Sequence, residues 1–236
     1  PYEFDDLIDH YQASPERLCV SEPGIDHSLF NPGRRNGARR TIGVGDEPLI
    51  LYVGRIAPLK GIDIAIDMLS HIPSTVAAGI GPPVLMIVGG PSGESGRHEV
   101  ERLRAQAQTN GVADRVRFVP PQPHDELVHF YRAADVLVMP SRSESFGLVA
   151  AEAQASGLPV VASRVGGLPY VVSSSVSGLL VSDRDPGSFA ASTTAILDHP
   201  DFRRQLSQGA VEFARRFSWS ATADRLTDLY AGIAAR

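Results

Sequence analysis

From Leu49 onward the sequence alternates short, continuous apolar runs with longer amphipathic stretches, and that rhythm most limits what the chain can become. The runs Leu49 to Val53, Val84 to Val88, Val116 to Val119, Val136 to Met139 and Pro159 to Ala162 are too short for buried helices and mostly lack polar alternation. A shorter one follows near Leu179 to Val181. A strand that is apolar on successive residues has to be covered on both faces. Between the runs, helical periodicity is read at about Ile62 to His71, His98 to Asn110, His124 to Ala133 and Gly147 to Ala155, with further helices from about Ser188, Asp201 and Ser220. Pro73 stops the first helix and Gly111 caps the second. Strands and helices in this order specify a doubly wound α/β fold with a parallel sheet.

Residues 1–47 follow another pattern. Glu16 to Val20 reads as one strand, with Cys19 as a small core residue. The stretch Asn31 to Asp46 holds four glycines and four arginines and reads as a connector. The chain opens on Pro1 with no Met, which reads as a piece or processed form of something longer.

Composition narrows the partners. A net charge of -5 argues against a general nucleic-acid or membrane-surface binder, because phosphate backbones recruit basic surfaces. The single cysteine excludes an internal disulfide and a cysteine-rich metal site. The 7 histidines show no metal-ligand spacing, and His124 and His129 read as surface residues of one helix. No apolar stretch is long enough to span a membrane and no signal-peptide pattern appears, so the default location is the cytoplasm.

In a doubly wound sheet, ligands bind beyond the carboxyl ends of the strands. Three loops there carry unusual residues. Gly54 to Gly61 places Arg55 and Lys60 at a strand end, a fork and a point charge suited to a diphosphate, or else two solvated surface charges. Pro140 to Leu148 leads into a helix whose first amides, from Phe146, Gly147 and Leu148, form an anion site, with Ser143 or Ser145 as N-cap. Glu144 stands in that loop. Glu152 follows inside an apolar helical segment, where a carboxylate needs hydrogen-bond partners; a ligand's hydroxyls or a structural ion pair would both serve. Gly89 to Gly96 suits close backbone approach to a ligand or a flexible connection equally. It lacks the Gly-Lys-Ser/Thr ending of a P-loop, and no Gly-x-Gly-x-x-Gly opens the first helix.

Gly54-Arg55 with Lys60-Gly61, followed by Glu144 and Glu152, resembles the C-terminal domain of retaining GT-B glycosyltransferases of family 4. Gly89-Gly90-Pro91-Ser92-Gly93, Arg115 to Pro121 and Arg164 to Pro169 strengthen the likeness, which runs from about Ser21 to the C-terminus. Within the family the look is that of its inositol-phosphate branch, then its sucrose-phosphate branch.

The resemblance implies one Rossmann-like half of a GT-B fold, with residues 1–47 as interdomain linker and remnant of an N-terminal domain, and residues 48–236 as the nucleotide-sugar-binding domain. It implies a donor that is UDP-linked, with no metal or other cofactor. Arg55 and Lys60 inherit the diphosphate, Glu144 the sugar hydroxyls and Glu152 the ribose. The amides of Phe146 to Leu148 serve phosphates or sugar, Gln122 lies by the base, and Pro23 to Asp26 with Phe30 and Pro32 resembles the interdomain segment. Glu144, Arg55 and Lys60 are the residues expected to bear on catalysis.

The acceptor (an inositol phosphate, a hexose phosphate, a lipid-linked sugar or a polysaccharide end) is expected on a missing N-terminal domain, and the isolated chain is expected to transfer little. A non-catalytic binding or assembly module is the alternative. A nicotinamide-dependent oxidoreductase shares the fold class but lacks its fingerprint here.

Overall fold

The computed structural model describes residues 2–74 and 81–234, apart from the side chains of Tyr2, Glu94 and Ser95, the last two within the glycine-rich stretch noted above. In chain order the regular elements are α1 (Tyr2–Tyr11), α2 (Arg35–Ile42), β1 (Leu49–Val53), α3 (Ile62–His71), β2 (Val84–Val88), α4 (Gly93–Thr109), β3 (Val116–Val119) and α5 (His124–Ala133). Then come β4 (Val136–Met139), α6 (Leu148–Ala155), β5 (Val160–Ser163), α7 (Leu168–Val171), β6 (Gly178–Val181), α8 (Pro186–Asp198), α9 (Pro200–Ala214) and α10 (Trp219–Ala234).

The six strands form one parallel sheet in the order β3-β2-β1-β4-β5-β6. Successive residues of each inner strand feed opposite faces. Leu49, Leu51 and Val53 of β1 join Val84, Met86, Val88, Leu137 and Met139 in the core on one face, under α5 and α6. Ile50 and Tyr52 join Leu85, Ile87, Val136 and Val138 in the core on the other, under α3, α4 and α8. Both faces are buried, which is why the strands show no polar alternation. The edge strand β3 is half-buried throughout, and there a polar residue, Arg117, is tolerated.

The fold departs from expectation mainly outside the sheet. Glu16 to Val20 forms no strand: a 3-10 turn occupies Pro15–Arg17, and Cys19 is exposed. None of its residues bridges to a strand of the sheet. The supposed connector contains α2, which packs on α5 and sends Ala38 into the core with Ile25 and Phe30. Its four arginines hid a helix whose Arg39 is buried against Asp135, and Gly43 ends it in the left-handed conformation. Packing across residue 47 is therefore continuous.

The helix α4 begins at Gly93 rather than near His98, so half of the glycine-rich stretch is its first turn. The remainder is tied to the loop after β1 by a bridge between Ile56 and Pro91. The stretch is thus in large part a packed entry into a helix, while Gly89, Gly90 and Pro91 line a cavity.

Candidate functional site

The strand order reverses between β1 and β4, the switch point at which such sheets bind ligands. The loops leaving these two strands carry Arg55, Lys60 and Glu144. They are cross-braced: Arg142 donates to Asp63 at 2.9 and 2.6 Å and to the Pro58 carbonyl at 2.7 Å, while its amide bonds the Leu59 carbonyl at 2.8 Å. Burial alone would raise the Asp63 carboxyl, but the Arg142 hydrogen bonds and charge outweigh it and hold that carboxyl below the ordinary value.

Two close approaches fix the loop further. Gly61 (φ 67°) lies where a Cβ would stand 1.9 Å from the Pro140 carbonyl oxygen. Gly166 (φ 51°), after β5, would put a Cβ 2.0 Å from the Glu144 carbonyl oxygen. Any side chain at either position would push the Glu144 loop away.

Between these loops lies a cavity of about 350 Å³. Gly54, Arg55, Lys60, Glu144, Phe146, Gly147 and Leu148 all line it, as the sequence led one to expect. Lys60 Nζ meets Glu144 Oε2 at 2.7 Å, with both side chains mostly covered. The two residues assigned to different parts of a ligand neutralise each other here. Arg55 is exposed and makes no ion pair with a described residue. Beneath them, burial and then the Glu144 charge push the Tyr52 hydroxyl up, and that hydroxyl donates to the Arg55 carbonyl at 3.1 Å.

Neither Ser143 nor Ser145 caps α6. Both are exposed, and the N-cap is Gly147 at φ 105°, which has no side chain to offer. The amides of Phe146 and Gly147 have no partner among the described residues, so the helix start keeps its donors available. The ring of Phe146 packs edge-on against Phe217 at 5.4 Å.

A second cavity of about 320 Å³ shares Gly54 and Arg55 with the first and runs on to Gly89, Gly90, Pro121 and Gln122. The two form a trench. Lys60 and Glu144 stand at one end, Gln122 at the other, and Arg55 where they meet.

Glu152 lines neither cavity. It is 8% exposed, with one carboxylate oxygen taking the Tyr131 hydroxyl at 2.8 Å and the other facing His124 Nε2 at 2.9 Å. The partners that a buried carboxylate requires are supplied by the chain itself. His124 is on the surface, as expected, and is also bonded to a candidate site residue. Among the described residues no group of three or more His, Cys, Asp or Glu side chains could hold a metal ion, and no helix is long and apolar enough to cross a membrane.

Residues 36–213 match the family model described as glycosyl transferases group 1. The chain belongs to that family. It is 48% identical, over 225 residues, to the D-inositol 3-phosphate glycosyltransferase of Acidothermus cellulolyticus, covering 95% of this chain and 50% of that protein. This group 1 chain therefore spans about half the length of the curated relatives it matches. Sucrose-phosphate synthase from Thermosynechococcus elongatus superimposes with a TM-score of 0.86 at 33% identity, over 98% of this chain and 56% of that one. Anabaena HepE in complex with UDP-glucose shares the fold, with a TM-score of 0.84 at 24% identity over 93% of this chain and 59% of that one. The parallel sheet is the Rossmann-like unit of such GT-B structures.

Sequence reasoning missed Tyr52, the Arg142–Asp63 brace, and the Tyr131–Glu152–His124 chain. Tyr52 gave no signal inside a fully apolar strand. Arg142 did: it stands between two serines in a turn already singled out, next to Glu144.

Proposed function

We propose that this chain is the donor-binding half of a retaining glycosyltransferase and that its trench holds a nucleoside diphosphate sugar, UDP-linked. The observation that carries this reading is the trench itself, with a carboxylate and an ammonium at one end, a guanidinium at its middle and open helix amides beside it. A ligand with hydroxyls, two phosphates and a planar base in series matches that order. HepE, whose fold is the same, is described with UDP-glucose, which makes UDP the first nucleotide to try.

In this reading the sugar hydroxyls take over Glu144 and the diphosphate takes over Lys60, so the donor exchanges one ion pair for two new contacts. Arg55, Lys60 and the Phe146 to Leu148 amides then stabilise the charge that develops on the departing diphosphate, the part that a metal would otherwise play. Glu152 lies outside both cavities, and in this reading it meets the ribose in place of His124, while Gln122 borders the base. The acceptor, a polyol phosphate by likeness to the inositol-phosphate relatives, is held by a second GT-B domain, for which this chain has one Rossmann-like unit.

Isothermal titration calorimetry with UDP, UDP-glucose and UDP-N-acetylglucosamine tests the reading. Saturable binding of a UDP ligand, weakened in Lys60→Ala, is expected. No binding to these ligands, nor to ADP or GDP, would overturn it.

A further inference from the structure

A third cavity, of about 350 Å³, lies at the opposite, amino-terminal edge of the sheet, below the starts of β4 and β5. One wall is a face of α9: Pro200, Arg203, Arg204 and Ser207 recur at helical spacing. Arg35 of α2 and Arg132 of α5 complete a set of four arginines, and Asp135 is the only carboxylate among the lining residues described.

That carboxylate is already oversubscribed. Arg35 and Arg203 both reach its Oδ1, at 2.6 and 2.7 Å, while Arg39 and the Leu49 amide take Oδ2 at 3.0 and 2.9 Å. Asp135 is almost completely buried, and one negative charge faces three guanidinium groups. Fixing the loop before β4 would need one arginine, not three. The chain as a whole carries -5, so this local excess of positive charge runs against its composition.

Unmet hydrogen-bonding capacity lies at the same place. Ser156 is 5% exposed, lines the cavity, and has a buried hydroxyl with no partner among the described residues. Arg35 Nε is likewise buried without one. Buried polar groups are ordinarily satisfied, so two orphans at one positively charged cavity point to a ligand that supplies acceptors. The start of α9 adds its amino-terminal dipole, since His199 contributes no side-chain cap.

We propose that this cavity is an anion site, separate from the donor trench, that binds the phosphate group of a small soluble phosphate monoester. A phosphate between Arg35 and Arg203 would separate two like charges that now converge on one oxygen, and would offer an acceptor to Ser156. The room beyond the arginines exceeds what a bare phosphate needs, which favours a phosphate carried on a small polar body. Arg132 is held by Asn31 at 2.7 and 2.8 Å and Arg204 pairs with Asp201, so those two shape the field around the site.

The test is calorimetry of the 236-residue chain with glycerol 3-phosphate at low ionic strength, where surface fields are least screened. Saturable binding is expected, with Arg203→Gln weakening it about tenfold, the loss of one charged hydrogen bond. Because Arg203 also holds Asp135, Arg204→Gln serves as a second variant. Its exposed side chain can be changed without disturbing the fold, and a smaller weakening is expected. Arg55→Ala should leave this binding unchanged. Binding lost in Arg55→Ala but kept in Arg203→Gln would put the phosphate in the donor trench and overturn the proposal. So would an absence of binding, or association only with phosphatidic acid vesicles.

Discussion

Glu144 and Glu152 have seven residues between them and were assigned to two ends of one ligand, yet the chain treats them oppositely. Glu144 stands in a cavity, mostly covered, with the ammonium of Lys60 as its side-chain partner. Glu152 is buried and satisfied by a phenol and an imidazole. An ion pair of long side chains that opens onto a cavity contributes little to stability and is easily exchanged. A buried carboxylate with fixed partners is part of the structure, and removing it strands those partners. The first acid is thus free to be specialised for binding, while the second has to serve the fold before it can serve a ligand.

The largest effect expected from this contrast is on stability. Glu152→Ala leaves the Tyr131 hydroxyl buried and unpaired and should cost about 2–3 kcal/mol in urea unfolding. Glu144→Ala should cost less than about 1 kcal/mol, because its partner Lys60 can turn to solvent. Equal losses would erase the contrast. Tyr131→Phe, which leaves the carboxylate one donor short in place of the phenol, should fall between them.

Ligand affinity should reverse the order. Lys60→Ala is expected to weaken UDP binding by about 1.5–3 kcal/mol, the usual contribution of a charged hydrogen bond. Glu144→Ala should do the opposite for UDP, since it releases Lys60 from its ion pair, and yet should remove the gain in affinity on going from UDP to UDP-glucose. Calorimetry on the two ligands separates these effects. A Glu144→Ala protein that binds UDP more weakly would show that Lys60 needs the acid to hold it in place.

How much of this was legible in the sequence follows from how each part is encoded. The sheet and most helix bounds were readable because burial on both faces writes itself as unbroken apolar runs. The charged residues lining the trench were readable because they stand in loops at the carboxyl ends of strands, where such sheets bind ligands. What could not be read was pairing across the chain. Nothing near Glu152 announces Tyr131 or His124, and Arg35 and Arg39 look like linker charges until Asp135, about a hundred residues on, is placed beside them. Helix α2 was missed for the same reason: a sequence so rich in arginine carries its apolar face on little more than Ala38 and Ile42.

The brace between the trench walls should show itself in acid. The folded state holds the Asp63 carboxyl below its ordinary value, so the pair stabilises the fold above the unfolded aspartate value of about 3.9 and loses that contribution as pH falls through the lower folded value. Asp63→Asn should therefore lower stability by about 1 kcal/mol at neutral pH and flatten the acid limb below about pH 4. Thermal unfolding between neutral pH and acid tests this. An unchanged acid limb would mean that Arg142 holds the walls through its bonds to Pro58 and Leu59 alone.

The smallest effect is the most informative about Glu152. His124 is 61% exposed, stacks edge-on against Phe30 at 4.8 Å, and occupies one oxygen of an otherwise buried carboxylate. Tyr131 cannot be its substitute, because that hydroxyl is buried on the second oxygen. His124 is the partner that can leave without opening the core. If the ribose competes with it, His124→Ala should tighten UDP binding by no more than about 1 kcal/mol, the net value of one exchanged hydrogen bond, with little change in unfolding. Glu152→Gln should abolish that gain. Weaker binding in His124→Ala would instead make the imidazole a contact to the nucleoside, with Glu152 holding it in position from below.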